Sequence, residues 1–282
     1  MWVKSYIFAH QNFDMVNFTN KVVAITGGTD GIGKALVDLF LQQGAKVATC
    51  GRNHDKLYQL QRLYINMPLH VVSADVSKQG DCVAFINSVI ETYGTIDILI
   101  NNPGISMRAM FKDLDLATIR TLMDVNFWGS VYCTKLALPE ILKNKGTIVG
   151  ISSVAGFRGL PGRTGYSASK FALHGFLEAL RTEIMDDGVN VMWVCPGFTS
   201  TNIRNAALNK DARPQGESPM NEEKMMTAEE CAQHIIKAIK SRDRMLVLTT
   251  TGRSTLFMSK FFPLWADKLI RKFYFKNNEL IK

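Results

Sequence analysis

Tyr166 and Lys170 stand four positions apart in GRTGYSASKFAL, so a helix there puts both side chains one turn apart on one face. A phenol with an ordinary pKa of about 10 is a poor base at neutral pH, but a neighbouring ammonium favours the phenolate and lowers that value. The pair is fitted to give and take a proton at a carbonyl or alcohol oxygen. Upstream, Ser152 and Ser153 close an apolar run, and a serine hydroxyl there can hold the same oxygen. A solvated Tyr/Lys pair on a helix is common, and what lifts this one is a second pattern near the start of the chain. VVAITGGTDGIGKAL places Gly27, Gly31 and Gly33 between an apolar run and a helix pattern, where a tight turn and exposed helix amides can hold a diphosphate. Taken alone, this segment also fits a purely structural turn. Two rival chemistries each lack a residue. Gly28 to Lys34 reads as a phosphate-binding P-loop until Ala35, where a hydroxyl for magnesium is needed. A nucleophile elbow on Ser152 needs glycine where Val154 stands.

The second apolar run ends VATCGRN. A free ribose 2′-hydroxyl calls for a carboxylate near such a strand end, and a 2′-phosphate calls for positive charge. Arg52 occupies that place, and a guanidinium forks well onto phosphate. The expectation is NADP(H) rather than NAD(H). Asp30 in the glycine loop opposes it, and an exposed surface charge is the plain alternative for Arg52.

These residues need a frame, and the chain supplies one. Apolar, β-branched runs at 22–26, 46–50, 70–73, 96–100, 147–152, 189–195 and 245–249 alternate with helix patterns at 33–43, 55–63, 81–92, 116–138, 167–185 and 228–240. That alternation predicts an α/β fold: a single doubly wound Rossmann domain with a seven-stranded parallel sheet and helices on both faces. The predicted division is an N-terminal extension at 1–20, the catalytic domain at 21–250 and a helical tail at 251–282. Residues 198–226 form a long polar connection that suits a substrate loop, with plain disorder as the competitor.

Several of these motifs, in order from about Lys21 to Thr201, resemble the short-chain dehydrogenase/reductase family. They are TGGTDGIG at Thr26–Gly33, Asp75 in SADVS, Asn101–Gly104, Asn126 in DVNFWGS, the serine, the Tyr/Lys pair, and Pro196–Gly197. The resemblance implies hydride transfer between a nicotinamide cofactor and a carbonyl or secondary alcohol. It implies that Tyr166 is the general acid/base, that Lys170 tunes it and holds the nicotinamide ribose, and that Ser153 rather than Ser152 orients the substrate oxygen. Asn126 would anchor a water in the proton relay, although an asparagine bonding its own helix is the bland reading. Cofactor contacts would come from Gly27, Thr29, Gly31, Ile32, Gly33, Asp75, Val76, Asn102, Gly104, Pro196, Gly197 and one or both of Thr199 and Thr201. The family usually has alanine at the position of Pro103. Proline deletes an amide there and pushes Asn102 toward an extended conformation, so one backbone donor is lost from the cofactor wall. Two further readings are a non-catalytic cofactor sensor or scaffold, against which the complete catalytic set stands, and an epimerase or dehydratase, for which little chain remains.

The net charge is +8, and much of it gathers in the tail, with seven basic residues against two acidic ones from Arg253 onward. Interleaved are Phe257, Phe261, Phe262, Leu264, Trp265, Leu269 and Phe273. This mixture suits a peripheral contact with an anionic membrane and equally a helix docked on its own domain or on a partner subunit. The tail and the resemblance together point to an apolar, lipid- or steroid-like substrate. No nucleic-acid motif accompanies the charge. The five cysteines are spread out in apolar surroundings and read as buried thiols of a cytoplasmic protein. No histidine spacing offers a metal site. The family pattern implies a homodimer or homotetramer.

Overall fold

The computed structural model describes residues 18–218, 220, 222 and 225–281. Most of the predicted N-terminal extension therefore lies outside the described residues. Phe18 is buried against Phe40, with ring centroids 5.1 Å apart.

The strands are β1 Val22–Thr26, β2 Lys46–Gly51, β3 Leu69–Ser73, β4 Ile98–Asn101, β5 Thr147–Ile151, β6 Asn190–Cys195 and β7 Met245–Val247. All pair in parallel, in the order β3-β2-β1-β4-β5-β6-β7. The order reverses between β1 and β4, and the crevice above that point is where open α/β sheets take their ligands. Successive side chains of a strand point to opposite faces. Accordingly Val22 and Ala24 join one core while Val23 and Ile25 join the other, and Val191, Trp193 and Cys195 part from Met192 and Val194 in the same way. Helices α1 Gly31–Gln42, α2 His54–Leu63 and α7 Ala228–Lys240 cover one face. Helices α3 Gln79–Tyr93, α5 Gly129–Lys143 and α6 Thr164–Glu183 cover the other.

Three expectations need correction. The segment 116–138 is not one helix: α4 Leu116–Met123 gives way to a π turn at Asp124–Trp128 before α5 begins. Asn126 sits in that turn and bonds outward, and single π turns inside helices often mark functional sites. The last sheet strand stops at Val247, because Thr249 takes φ 69° and its side chain accepts from the Gly252 amide to cap the next helix. Finally, α6 starts at Thr164, three residues ahead of the predicted 167, which puts Tyr166 inside the helix's first turn.

The tail folds into α8 Thr250–Phe261, α9 Pro263–Tyr274 and a short hairpin of β8 Phe275–Lys276 with β9 Glu279–Leu280. Proline opens α9, where its missing amide costs nothing. The tail packs back on the domain. Ala266 and Tyr274 are buried, Phe273 stacks on Phe198 at 6.3 Å, Arg158 pairs with Asp267, and Arg108 Nη2 donates to the Leu280 carbonyl at 3.3 Å. Docking on its own domain is thus one opening the sequence leaves for this tail that the structure takes up. No described helix is long and apolar enough to cross a membrane.

Candidate active site

At the carboxyl ends of β1, β4, β5 and β6 the chain opens into a cleft of about 1020 Å³. Gly27 and Gly31 begin it, with φ of 69° and 51°, the left-handed region that other residues avoid. A Cβ on Gly33 would lie 2.3 Å from the Gly27 carbonyl oxygen, so the turn closes tightly only with glycine there. Asn102 fastens this turn to β4: its side-chain amide donates to the carbonyls of Thr26 and Gly27 at 3.1 and 3.0 Å, and its backbone amide donates to Thr26 Oγ1 at 3.1 Å. Its side chain is thus spent on the loop as well as facing the cleft. Thr29 packs over Gly51. The cradle, the amides of α1 and the volume beyond them fit a dinucleotide.

Arg52 lies at the end of β2, largely exposed, with its nearest carboxylate, Asp75, 4.0 Å away. Asp75 Oδ1 accepts from the amide and hydroxyl of Ser77 at 3.1 and 2.8 Å, and Val76 sits beside it in the cleft wall. Asp30, the residue that opposes a 2′-phosphate, is neutralised by Lys56 at 2.5 Å. Lys56 also lines the cleft, and no motif in the sequence singles it out. It becomes visible only once α2 folds back over the glycine loop.

The predicted catalytic residues meet. Gly150 makes this possible, since a Cβ there would lie 2.4 Å from Leu177 Cδ1, and its absence lets α6 settle on the sheet. Lys170 is buried and donates to the Ile151 carbonyl at 3.0 Å, with Nζ 5.8 Å from the centre of the Tyr166 ring. Burial lowers its pKa to about 8. Tyr166 departs from expectation: burial raises its pKa, outweighing the downward pulls of the Ser153 hydroxyl and of Arg163. Desolvation of the phenolate wins over the serine hydroxyl and the guanidinium together. Ser153 is the serine that faces Tyr166, whereas the Ser152 hydroxyl is buried without a partner. Ser153 Oγ also accepts from the Ala155 amide at 3.1 Å, which fixes its direction.

Asn126 is fully buried in its π turn. Its Oδ1 accepts from the Ile105 amide at 2.9 Å, and its Nδ2 donates to the Ile105 carbonyl and to Ser169 Oγ at 3.0 and 2.9 Å. It ties the loop after β4 to α6, and a Cβ on Gly104 would stand 3.7 Å from Lys170 Nζ and 4.0 Å from Asn126 Oδ1. Pro103 is buried in the cleft wall between donors already used, those of Asn102 before it and Ile105 after it.

The opposite wall carries Pro196, Gly197, Thr199 and Thr201. The Thr199 hydroxyl turns back to the Gly197 carbonyl at 3.4 Å, while the Thr201 methyl lies 3.1 Å from a Cβ placed on Gly31. Thr201 therefore faces the glycine turn. Residues of the 198–226 connection, among them Phe198, Ile203 and Met220, continue this wall. The tail closes the cleft with Leu269, Ile270, Phe273 and Tyr274, a contribution the sequence does not announce.

The model of the short chain dehydrogenase family matches residues 21–212. The chain is 34% identical over 263 residues to dehydrogenase/reductase SDR family member 7B of Mus musculus, covering 88% of this chain and 81% of the mouse protein. It is 33% identical over 271 residues to 11-beta-hydroxysteroid dehydrogenase A of Arachis hypogaea, covering 92% and 76%. Among solved structures, a short chain dehydrogenase/reductase from Burkholderia phymatum in complex with NAD superposes with a TM-score of 0.78 at 22% identity, covering 86% of this chain and 94% of that one.

Proposed function

Because the chain belongs to the short-chain dehydrogenase/reductase family of nicotinamide-dependent oxidoreductases, we propose that it interconverts a carbonyl and a secondary alcohol on an apolar substrate, using NADP(H) in preference to NAD(H). The observation that carries this reading is the meeting of Tyr166, Lys170 and Ser153 in one cleft, with the glycine cradle at one end and apolar tail residues at another wall. When bound, the nicotinamide supplies or accepts the hydride. The chain's own residues do the rest. Ser153 and Tyr166 hold the oxygen, and Tyr166 gives its proton to the developing alkoxide or takes it back in oxidation. Lys170, fixed on Ile151, places a cation beneath the phenol and lowers the cost of that transfer. Asn126 holds the loop after β4 at the distance this arrangement needs.

Two observations support NADP(H): Arg52 is exposed at the end of β2, and Asp30, which would repel a 2′-phosphate, is already paired with Lys56. An apolar substrate is supported by Leu160, Leu269, Ile270 and Phe273 in the wall, and by the name of the peanut relative, a hydroxysteroid dehydrogenase. The tail presents Phe257, Phe261, Phe262, Leu264 and Trp265 to solvent beside Lys260 and Lys268, which supports a peripheral contact with an anionic membrane. Exposed Trp128 and Phe171, on the π turn that leads into α5 and on α6, support a homo-oligomer joined through those segments. A cytoplasmic setting rests on five unpaired, buried cysteines.

The test is cofactor consumption over a panel of aliphatic, acyl and steroid ketones. Tyr166→Phe should abolish turnover and leave NADPH affinity within a few fold. Arg52→Asp should weaken NADPH far more than NADH. Turnover that survives the first change removes the catalytic assignment, and equal losses in the second remove the 2′-phosphate role.

A further inference from the structure

Among the described residues five cations line the cleft, and four have visible employment. Arg52 faces Asp75 at 4.0 Å, Lys56 pairs with Asp30, and Arg204 pairs with Glu222 at 2.9 Å while donating to the Thr199 carbonyl. Lys170 is fixed on Ile151 beneath Tyr166. The fifth is Arg163, three residues before Tyr166 at the head of α6, and it meets no carboxylate among the described residues.

Its guanidinium is nevertheless held in place. Nη1 donates to Ser106 Oγ at 3.2 Å and to the Met107 carbonyl at 3.0 Å. Both partners are neutral, so they fix direction without cancelling charge, and of the five N–H groups of a guanidinium they engage only those on Nη1. The Tyr274 phenol, brought in by the tail, faces the same guanidinium and is itself buried. Around them stand Leu160, Ile270 and Phe273. A directed guanidinium and a phenol, set in an apolar wall beside the general acid, form a fork suited to two oxygens of one anionic group.

We propose that Arg163, with Tyr274, is the anchor for a carboxylate carried by the substrate, so that the cleft takes oxo and hydroxy acids with an apolar body. This rests on the reading of the cleft as the site where a carbonyl is reduced, and it narrows the substrate class within that reading. Arg163 is the residue immediately ahead of α6, three positions before Tyr166, and both line the same cleft. A carboxylate held on Arg163 and a carbonyl held at Tyr166 can therefore belong to one molecule.

Binding can be separated from turnover. The enzyme saturated with oxidised NADP, which cannot reduce a ketone, is titrated calorimetrically with 4-oxododecanoate and with its methyl ester. The acid should bind about ten- to a hundredfold more tightly than the ester, the range of one charged hydrogen-bonded contact. Arg163→Gln should bring that ratio toward one, and Arg163→Lys should keep part of it. Equal affinity for acid and ester in the unaltered protein, or an unchanged ratio in Arg163→Gln, overturns the anchor. The comparison in the unaltered protein decides even if the glutamine variant fails to fold. An intact acid preference with no NADPH consumption on any ketone would leave the anchor standing and remove the catalytic reading instead.

Discussion

Lys170 shows what a single side chain gives up for its post. Burial lowers its pKa from 10.5 to about 8. The unfolded chain holds that proton more tightly, so folding is penalised most below pH 8 and the penalty fades as the pH climbs toward 10.5. Lys170→Met should therefore melt at a higher temperature than the parent protein near pH 7, with the gap closing by pH 10, while turnover is lost. Thermal melts at the two pH values check it, and a gap that does not change with pH would show that the ammonium carries no burial penalty. At this scale the sequence is informative where partners share a helix: the spacing of Tyr166 and Lys170 pairs them, and the glycine pattern near the start of the chain gives that pairing its weight. Partners from distant segments are silent. Lys56 meets Asp30, Arg163 meets Ser106 and Tyr274, and Asn126 meets Ile105 and Ser169 only after the chain has folded. The direction of the Tyr166 shift was illegible for the same reason, because burial is a property of the assembled cleft.

Elements were legible to the extent that one periodicity governed them. All seven strands of the large sheet lie where apolar runs predict, since a strand buried on both faces leaves an uninterrupted apolar signature. The π turn at Asp124–Trp128 leaves none, because one extra residue per turn barely disturbs a helical pattern. The tail was legible as helical and basic but not as a wall, since its apolar residues serve two surfaces. Ala266, Ile270 and Tyr274 turn inward, and Phe261, Leu264 and Trp265 turn outward. Removing residues after Gly252 should keep NADPH affinity within a few fold and raise KM for apolar ketones more than about tenfold, the loss of one or two apolar wall contacts. The same truncation should reduce binding to vesicles containing anionic lipid. Steady-state kinetics and vesicle flotation measure the two effects. An unchanged KM would mean that the wall does not touch substrate, and failure of the shortened chain to fold would make the tail part of the domain's core.

For the molecule as a whole, the acid limb of stability has an identifiable source. His174 lies one turn beyond Lys170, packed on Phe157 at 4.4 Å, with Nε2 3.7 Å from Cys195 Sγ. Burial and then the Lys170 charge lower its pKa from 6.5 to about 4. The unfolded chain protonates first, so the folded state keeps its full margin above about pH 6.5 and loses it as the pH falls toward 4. The drop in melting temperature between pH 7 and pH 5 should be smaller in His174→Leu than in the parent, and an equal drop would place the acid sensitivity elsewhere. The doubly wound frame itself was legible from end to end, because alternation of runs and helices is a global pattern that no single contact decides.

The strand β7 is the last in the sheet, and beyond the Leu248 amide, which donates to the Cys195 carbonyl, no described residue adds a rung to that ladder. Among the described residues, everything after it hangs from an edge and meets the domain through side-chain contacts, the Arg158–Asp267 pair among them, and through the bond from Arg108 to the Leu280 carbonyl. The family model, too, ends at residue 212, well short of this point. The glycine cradle and the tail's share of the cleft wall thus lie in separate stretches of chain. Grafting the last thirty or so residues of one relative onto another should exchange that part of the wall and leave the seven-stranded sheet undisturbed, with Leu160 and Arg163 still supplied by the recipient.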